Sequence, residues 1–282
     1  MFWMPGVMEV KDGRRCLNTT LLRRLVRLFT DAGMYFIEGP HLAHFTSGWH
    51  GPTFDINFAD KVRATTQEGH AVLADVARQL MAEIDRNGWR ERWIQHVSDE
   101  PSSHNVADYR LLCGMVRRHM PGLPLMDAMD LDPGTAAGSV DIWCPKNTGY
   151  QQNRAAFDAA RAQGDRVWVY TCCYPGGPWL NRLLDMELLR PCLMGWAAAL
   201  FHLNGYLHWG LNHYRGNQDP FQASVFVQGD GWVLPAGDTH IVYPGPDGPW
   251  SSVRFEAQRE GFEDYEMVQL LRRRAPARAE SL

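Results

Sequence analysis

Several motifs that indicate a metal or an organic cofactor are missing from this 282-residue chain. Its eleven histidines include no His-Glu-x-x-His motif, and its six cysteines include no Cys-x-x-Cys pair. No Gly-rich phosphate-binding loop follows any of the apolar runs. We therefore predict no metal and no cofactor, and we expect the cysteines to be buried free thiols.

The chain also has no excess of basic residues and no long apolar run. Its 28 lysines and arginines against 32 acidic residues leave a net charge of -4 and a pI near 6.2. This balance excludes the basic footprint of nucleic-acid or anionic-membrane binding, and no run reaches the roughly 18 apolar residues of a membrane span. The start, MFWMPGVMEVKDGRR, lacks the pattern of a secretory signal. This start predicts a cytoplasmic protein for the chain as it stands, or an exported protein if the true beginning is missing. The sequence leaves the oligomeric state open.

What the chain does have is a regular alternation of helix and strand patterns. Residues 18–20 are predicted to cap a first helix, in which apolar residues follow at helical spacing. Further helices are predicted over 68–86, 106–120, 151–163, 182–203 with a break at Pro191, and 253–271. Apolar runs predict strands over 2–8, 34–38, 93–98, 123–129, 140–144, 167–173 and 205–209. The Gly-, Asp- and Pro-rich stretch 211–249 is predicted to be a long irregular region.

This alternation predicts an α/β fold with a parallel sheet. About seven strands are one short of the eight in a TIM (β/α)8-type barrel, and polar aromatic segments repeatedly follow the strand ends, where barrel active sites lie. A doubly wound open sheet is the alternative, and the missing phosphate loop argues against it. We therefore predict a barrel. Eleven tryptophans serve either its core or flat surfaces on which sugar rings stack.

One strand end carries two adjacent carboxylates. The run WIQHVSDEPSSHN passes from an apolar strand into Asp99 and Glu100 and is stopped by Pro101, which also favours an extended backbone at Glu100. Neighbouring side chains of a strand point to opposite faces, so both carboxylates reach one ligand only if the chain leaves the sheet there. Two acids at a strand end in a Trp-rich chain indicate acid/base chemistry on a sugar. A bare Asp-Glu-Pro tripeptide is more often only a solvated turn.

Three longer motifs resemble a known family. GWRERWIQHVSDEP, the EGPHLAH loop and GDTHIVYPGPDGPWSSVRFEAQREGFEDYEMVQLL are similar to the catalytic domain of glycoside hydrolase family 123, which includes N-acetyl-β-galactosaminidases and DUF4091 proteins. The similarity covers about Leu21 to Leu271. It implies a barrel domain over 1–271 that lacks its first strand and the family's N-terminal β-sandwich. The Arg-rich tail 272–282 is predicted to be disordered.

The resemblance also implies a reaction. The chain would release terminal β-linked N-acetylhexosamine, foremost N-acetylgalactosamine, from a glycan, with retention and with help from the substrate's own acetamido group, an exception to the two-carboxylate scheme. Glu100 would be the general acid and then the general base, with a raised pKa. Asp99 would stay ionised, accept a hydrogen bond from the acetamido N–H and stabilise the oxazolinium intermediate.

Other residues near strand ends are candidate sugar ligands. His41 would bond a sugar hydroxyl or pack against loops. Asn212 and Asp238 would read hydroxyls or only stabilise turns. One or two aromatic residues of a larger set would form the floor of the sugar site and the rest would be core: Trp143, Tyr170, Trp179, Trp209 and Tyr214.

Two other functions stay open. One is a carbohydrate-binding barrel inactivated by truncation. The other is a conventional double-displacement glycosidase for other β-glycosides, in which Asp127, Asp130 or Asp141 would be the nucleophile. These three acids are more readily interpreted as helix caps or solvated loop residues.

Overall fold

A computed structural model describes residues 7–11, 14–49, 51–214, 218–229 and 231–280. The chain divides into two compact units. The first comprises the residues up to Cys144 together with Asn153–Arg166, and the second comprises Pro145–Gln152 and the residues from Val167 onward.

Helices and strands alternate along the chain. The strands are β1 (Met8–Lys11), β2 (Arg14–Leu17), β3 (Ile37–Glu38), β4 (Ala43–Phe45), β5 (Phe54–Ile56), β6 (Trp93–Ile94), β7 (Met126–Ala128), β8 (Ile142–Cys144), β9 (Arg166–Tyr170), β10 (Gly205–Leu207), β11 (Phe226–Val227), β12 (Val233–Leu234), β13 (Tyr243–Gly245) and β14 (Gly248–Trp250). The helices are α1 (Thr19–Thr30), α2 (Gln67–Arg86), α3 (Val106–His119), α4 (Asn147–Gln152), α5 (Arg154–Ala162), α6 (Leu189–Leu200), α7 (Val253–Arg274) and α8 (Pro276–Ala279).

Short parallel strands form the centre of the first unit. Strand β3 pairs with β6, and β7 pairs with β8, both in parallel. A parallel bridge between Gln95 and Leu125 joins the two pairs. Helices α2 and α3 bury one face each, and Leu80, Ile84 and Leu112 are at most 1% exposed. The βα order with parallel pairing confirms the predicted mixed α/β class.

The second unit combines another parallel pair with hairpins and a helix pair. Strand β9 pairs with β10 in parallel, whereas β11–β12 and β13–β14 are antiparallel hairpins. Helices α6 and α7 approach closely at Gly195 and Gly261. A Cβ atom added at Gly195 would collide with the carbonyl oxygen of Gly261. Glycine at this crossing therefore lets the two backbones touch.

The helix predictions agree best with the structure where a cap residue marks the start. Asn18 accepts a hydrogen bond from Leu21 N at 3.0 Å and begins α1, and Thr66 accepts one from Gly69 N at 3.1 Å and begins α2. The prediction over 151–163 was wrong in detail, since two helices occupy this stretch. The helix predicted from 182 begins only at Leu189, so that Pro191 lies in its first turn rather than breaking it.

Strands and the chain ends differ more from the predictions. Each predicted strand is longer than the observed one, and residues 211–249 contain two short hairpins. The strand predicted over 2–8 lies mostly outside the described residues. The tail predicted to be disordered is helical through Arg274 and over Pro276–Ala279. All six cysteines are free thiols, although only Cys113 and Cys144 are buried.

Among the residues that the structure describes, no helix combines the length and the apolar character that a membrane crossing requires.

Candidate active site

Asp99 and Glu100 lie on a sharp corner that follows β6 in the first unit. Residues 96–98 have already left the regular strand, and both acids lie in a bend and are half-buried. Glu100 has a φ of 40°, in the left-handed region that side-chain-bearing residues rarely adopt. The prediction that Pro101 holds Glu100 in an extended backbone conformation is therefore wrong. The chain turns more tightly at Glu100 than the preference of a residue before proline implies.

A fully buried carboxylate, Asp127, supports this corner. Its oxygens accept hydrogen bonds from the backbone N–H groups of Val97 and Ser98, each at 3.1 Å. They also accept the Tyr109 hydroxyl at 2.6 Å and lie 3.0 Å from His96 Nδ1. Asp127 is thus neither a helix cap nor a solvated loop acid, which corrects the interpretation made from sequence.

His96 lies between two carboxylates. Its Nδ1 contacts Asp127, and its Nε2 is 3.3 Å from Glu38 Oε2 at the end of β3. Burial alone would lower the pKa of His96, but the hydrogen bonds and charges of Asp127 and Glu38 raise it to about 9. Burial would likewise raise the pKa of Glu38, yet this pKa lies well below its usual range, and the hydrogen bond with His96 is the largest of the interactions that lower it. With this raised pKa His96 is protonated at neutral pH, and its two ring nitrogens link Asp127 and Glu38 in one hydrogen-bonded chain.

Asp99 has a raised carboxyl pKa. Burial raises the pKa of Asp99 to about 7, the negative charges of Glu100 and Asp127 add to the increase, and His96 opposes it. From the sequence, an ionised carboxylate was expected at Asp99. Asp99 is instead half-protonated near neutral pH, and an added positive charge or hydrogen-bond donor would favour its ionised form.

His41 lies at the edge of the same network. Its Nε2 is 3.6 Å from Asp127 Oδ1, and its ring packs edge-on against His96 with centroids 4.9 Å apart. This Nε2 has no hydrogen-bond partner among the described residues. Burial, followed by the charge of His96, keeps the pKa of His41 well below its ordinary value, so the ring is neutral.

Ring nitrogens of His41 and His96 and a carboxylate oxygen of Asp127 lie within 4.8 Å of one another. Such a group has the donor types of a metal centre. However, His96 Nδ1 is at hydrogen-bond distance from Asp127, whose oxygens already bind backbone amides and Tyr109. The geometry therefore supports a hydrogen-bonded network, and we assign no metal to it.

Two of the predicted sugar-stacking residues belong to the core. Trp143 is 1% exposed, donates its Nε1–H to Asp165 at 2.8 Å and packs against Phe157. Tyr170 is 3% exposed, with the ammonium of Lys146 at 4.9 Å from its ring centroid. Neither side chain offers an open ring face for stacking, because both point into the protein at the end of a buried strand.

Trp209 in the second unit has the opposite character. It is 37% exposed, and its Nε1–H donates to Asp238 Oδ1 at 2.8 Å. Asp238 is fully buried, and its Oδ2 has no hydrogen-bond partner among the described residues. Burial raises the pKa of Asp238 to about 6, although Trp209 and the nearby Arg182 oppose the increase.

Arg182 stabilises the backbone beneath this pair. Its side chain is 2% exposed and donates to the carbonyl oxygens of Gly210, Gly237 and Asp238. His208 Nε2 lies 3.6 Å from Asp238 Oδ1 and has no hydrogen-bond partner in the described part of the chain. The arrangement fixes the indole of Trp209, and two polar atoms buried beside it, Asp238 Oδ2 and His208 Nε2, have no hydrogen-bond partner among the described residues.

The remaining predicted ligands also lie in loops of the second unit. Trp179 is half-buried, and its carbonyl oxygen accepts a hydrogen bond from Arg190 at 2.9 Å. Asn212 is exposed and forms an antiparallel bridge with His240. The hydroxyl of Tyr214 donates to Val242 O. A groove of about 480 Å³ in this unit is lined by Phe221, Tyr243 and Trp250 among others, and none of the predicted residues lines it.

Sequence reasoning missed Glu38 as part of the network, and it considered Asp127 only as a helix cap or loop acid or, alternatively, as a nucleophile. A usable indication existed for Asp127, because the acid interrupts the apolar run LPLMDAM. A charged residue inside a buried strand must be paired or hydrogen-bonded. Its partners, however, include backbone amides, which leave no trace in residue type.

Comparison with known proteins identifies a matching family model and similar solved structures. The model of the glycoside hydrolase 123 catalytic domain matches residues 3–271. A solved family 123 glycoside hydrolase from Clostridium perfringens, described for glycolipid glycan hydrolysis, is similar with a TM-score of 0.74 and 15% sequence identity. The similarity covers 97% of this chain and 49% of that chain, so this chain spans about half the length of the solved structure.

More distant structures include a xylanase of family GH10 with a bacterial Ig-like domain from termite gut (TM-score 0.44, 10% identity, covering 93% of this chain and 67% of that chain). Another is a β-D-glucuronidase from Dictyoglomus thermophilum (TM-score 0.43, 10% identity, covering 73% and 37%). Both scores are too low to carry an argument. No curated protein sequence matches the chain.

The family match places the chain among the glycoside hydrolases. Within them, it belongs to the glycoside hydrolase 123 catalytic domain family.

Proposed function

We propose that this protein releases terminal β-linked N-acetylhexosamine, foremost N-acetylgalactosamine, from a glycan by a retaining, substrate-assisted mechanism. The observation that carries the proposal is the Asp99-Glu100 corner at the end of β6 in a chain of this family. A glycan substrate is also consistent with the glycolipid glycan hydrolysis described for the Clostridium perfringens relative.

Glu100 is the proposed general acid and base. In the first step its carboxylic acid gives a proton to the glycosidic oxygen while the C1–O bond breaks and the acetamido oxygen of the substrate attacks C1. The product of this step is a cyclic oxazolinium ion bound to no enzyme atom. In the second step the Glu100 carboxylate takes a proton from water as the water oxygen attacks C1, and the acetamido group re-forms with retained configuration.

Asp99 is the proposed partner of the acetamido group. Its carboxylate accepts the acetamido N–H and so directs the acetamido oxygen toward C1. The Asp99 pKa of about 7 fits this role, because the N–H donor and the developing positive charge both favour the ionised form. Binding of the substrate would then convert Asp99 to the ionised form that the reaction needs.

Several of the residues named from the sequence remain proposed sugar ligands. Trp209 presents part of its indole to solvent, held by Asp238, and aromatic faces of this kind bind the apolar side of sugar rings. Trp179, Asn212 and Tyr214 are further candidates, as is His41 in the first unit. We further propose that the parallel βα units are parts of a (β/α)8-type barrel.

The experiment is hydrolysis of aryl β-N-acetylgalactosaminide, β-N-acetylglucosaminide and β-galactoside by the purified chain. Cleavage of only the acetamido sugars is expected, and the preferred epimer defines the specificity. Cleavage of the plain galactoside would instead favour double displacement with an enzyme nucleophile. No cleavage by a folded chain that binds the sugars would favour a carbohydrate-binding function.

A further inference from the structure

The peptide that leads into the Asp99-Glu100 corner is held from both sides. Its N–H groups at Val97 and Ser98 both donate to the Asp127 carboxylate at 3.1 Å. The carbonyl oxygen of Val97 accepts from the backbone N–H groups of Leu42 and Ala43, each at 3.0 Å. None of these contacts belongs to a regular strand pairing, although they lie directly beyond β6.

We propose that Asp127 is a positioning residue for the reaction, and that it holds the Asp99-Glu100 corner in its reactive geometry by binding the backbone of the two preceding residues. The inference rests on the proposed function, because it concerns how that reaction is oriented. Asp127 itself touches no reacting atom in this mechanism.

The need for such a support follows from the backbone of the corner. Glu100 has a φ of 40°, and a side-chain-bearing residue in this region persists only when the surrounding structure over-determines it. A carboxylate can accept from several donors at once, whereas a strand carbonyl commonly accepts one. Asp127 can therefore fix two successive N–H groups where the strand ladder has ended.

The burial of Asp127 makes this support rigid. The side chain is 0% exposed, and its remaining contacts are with Tyr109 at 2.6 Å and His96 at 3.0 Å. Charge-assisted hydrogen bonds of this kind are short and strong. Because donors occupy both oxygens, Asp127 is poorly suited to be the nucleophile of a double displacement, and two of these donors are the backbone N–H groups that lead into the corner.

The test compares Asp127→Asn with a control, Glu83→Gln. Glu83 is another acid of the first unit, lies on α2, is 1% exposed and is hydrogen-bonded to Arg23 of α1 and to Asn87 at the end of α2. Both substitutions keep the side-chain volume and remove one charge. A folded Asp127→Asn protein should lose about 10²-fold in kcat on an aryl β-N-acetylgalactosaminide, since a small misplacement of reacting groups has effects of this size.

The Michaelis constant separates positioning from general destabilisation. KM should change much less than kcat in Asp127→Asn, whereas Glu83→Gln should leave both near wild type despite a lower melting temperature. An unchanged kcat in folded Asp127→Asn, or an equal loss of kcat in Glu83→Gln, would overturn the proposal.

Amide hydrogen exchange gives a second readout that requires neither activity nor a stable variant. In the wild type, the Val97 and Ser98 amides should exchange slowly although they have left the strand. Fast exchange at both positions in the folded wild type would contradict the inference even if Asp127→Asn fails to fold. If the wild type does not hydrolyse acetamido sugars, the proposed function fails, and the exchange data alone decide whether Asp127 holds the corner.

Discussion

Two fully buried aspartates, one in each unit, differ in how their oxygens are used. Asp127 accepts hydrogen bonds from two backbone amides and Tyr109 and contacts His96. Asp238 accepts one side-chain hydrogen bond, from Trp209, and its Oδ2 has no hydrogen-bond partner among the described residues. Burial raises the pKa of both carboxyls, so the contrast lies in their donors rather than in their depth.

The comparison distinguishes a buried acid that holds the structure around it from a buried acid that still has an oxygen without a hydrogen-bond donor. A carboxylate whose two oxygens both accept hydrogen bonds fixes the residues that donate them. Replacing that carboxylate disturbs the geometry of those residues. A buried oxygen without a donor carries a desolvation cost that a ligand can offset. We therefore expect the Asp127 region to control chemistry and the Asp238 region to control binding.

The largest effect is expected from Glu100→Gln on the corner that Asp127 supports. The amide cannot donate or accept the proton, so kcat on substrates with poor leaving groups should fall by about 10²–10⁴-fold. Asp238→Asn should mainly raise KM. Steady-state kinetics of the two variants on one natural glycan measures this contrast, and full activity of Glu100→Gln would refute its role.

Removing each buried aspartate should separate the two regions in stability. Asp127→Ala leaves His96 and two backbone amides without their acceptor, and losing one member of a buried charged pair costs about 3–5 kcal/mol. Asp238→Ala removes one hydrogen bond, worth about 1 kcal/mol. Urea unfolding of the variants tests this, and equal losses of unfolding free energy would abolish the distinction.

The pH dependence of stability is expected to depend on Asp99 and Asp238. Their folded-state pKa values, about 7 and about 6, lie above the ordinary 3.8. Between the ordinary and the raised pKa of each carboxyl, the folded protein binds more protons than the unfolded chain. Each group therefore makes the free energy of unfolding fall as the pH rises through this window.

Two variants check the sign of this dependence. Asp99→Asn should match the wild type near pH 4 and exceed its unfolding free energy at pH 8, because the amide is never ionised. Asp238→Asn should reach its full advantage at a lower pH than Asp99→Asn does. Urea unfolding across this pH range measures both, and a variant that is less stable than the wild type at pH 8 contradicts the assigned direction.

The smallest effect is expected from Trp209→Phe. The ring keeps an aromatic face, but Asp238 loses the indole N–H, a hydrogen bond worth about 1 kcal/mol. We expect a modest increase in KM with little change in kcat. Steady-state kinetics over a range of substrate concentrations measures both constants. If kcat instead fell as far as in Glu100→Gln, Trp209 would belong to the chemistry and not to binding.

Local patterns in the sequence predicted the parts of the fold that local physics decides. Helix α2 was predicted almost to the residue, because its apolar positions repeat at helical spacing; in the structure Thr66 caps its start. The strands were predicted too long, since an apolar run does not say where parallel pairing stops. Asp99 and Glu100 were predicted to lie directly at a strand end stopped by Pro101, whereas β6 already ends at Ile94 and the two acids follow in a bend.

The site could be predicted only where residue type carries the information. Trp143 and Tyr170 were predicted to be possible sugar ligands because they lie near strand ends, yet their side chains point into the core. The network of Glu38, His96 and Asp127 joins residues from three separate parts of the chain, partly through backbone amides. Such contacts depend on the pairing of strands distant in sequence, which one sequence does not specify.

The most direct test of substrate assistance is a series of aryl β-N-acetylgalactosaminides whose acetyl group carries zero, one, two or three fluorine atoms. Fluorine withdraws electrons from the acetamido oxygen and weakens its attack on C1, while the leaving group stays the same. The proposed mechanism predicts that kcat/KM falls steeply with each fluorine, and that the Glu100→Gln protein has a similar slope on an activated leaving group. Rates that are independent of fluorination would contradict it and would require a nucleophile from the enzyme.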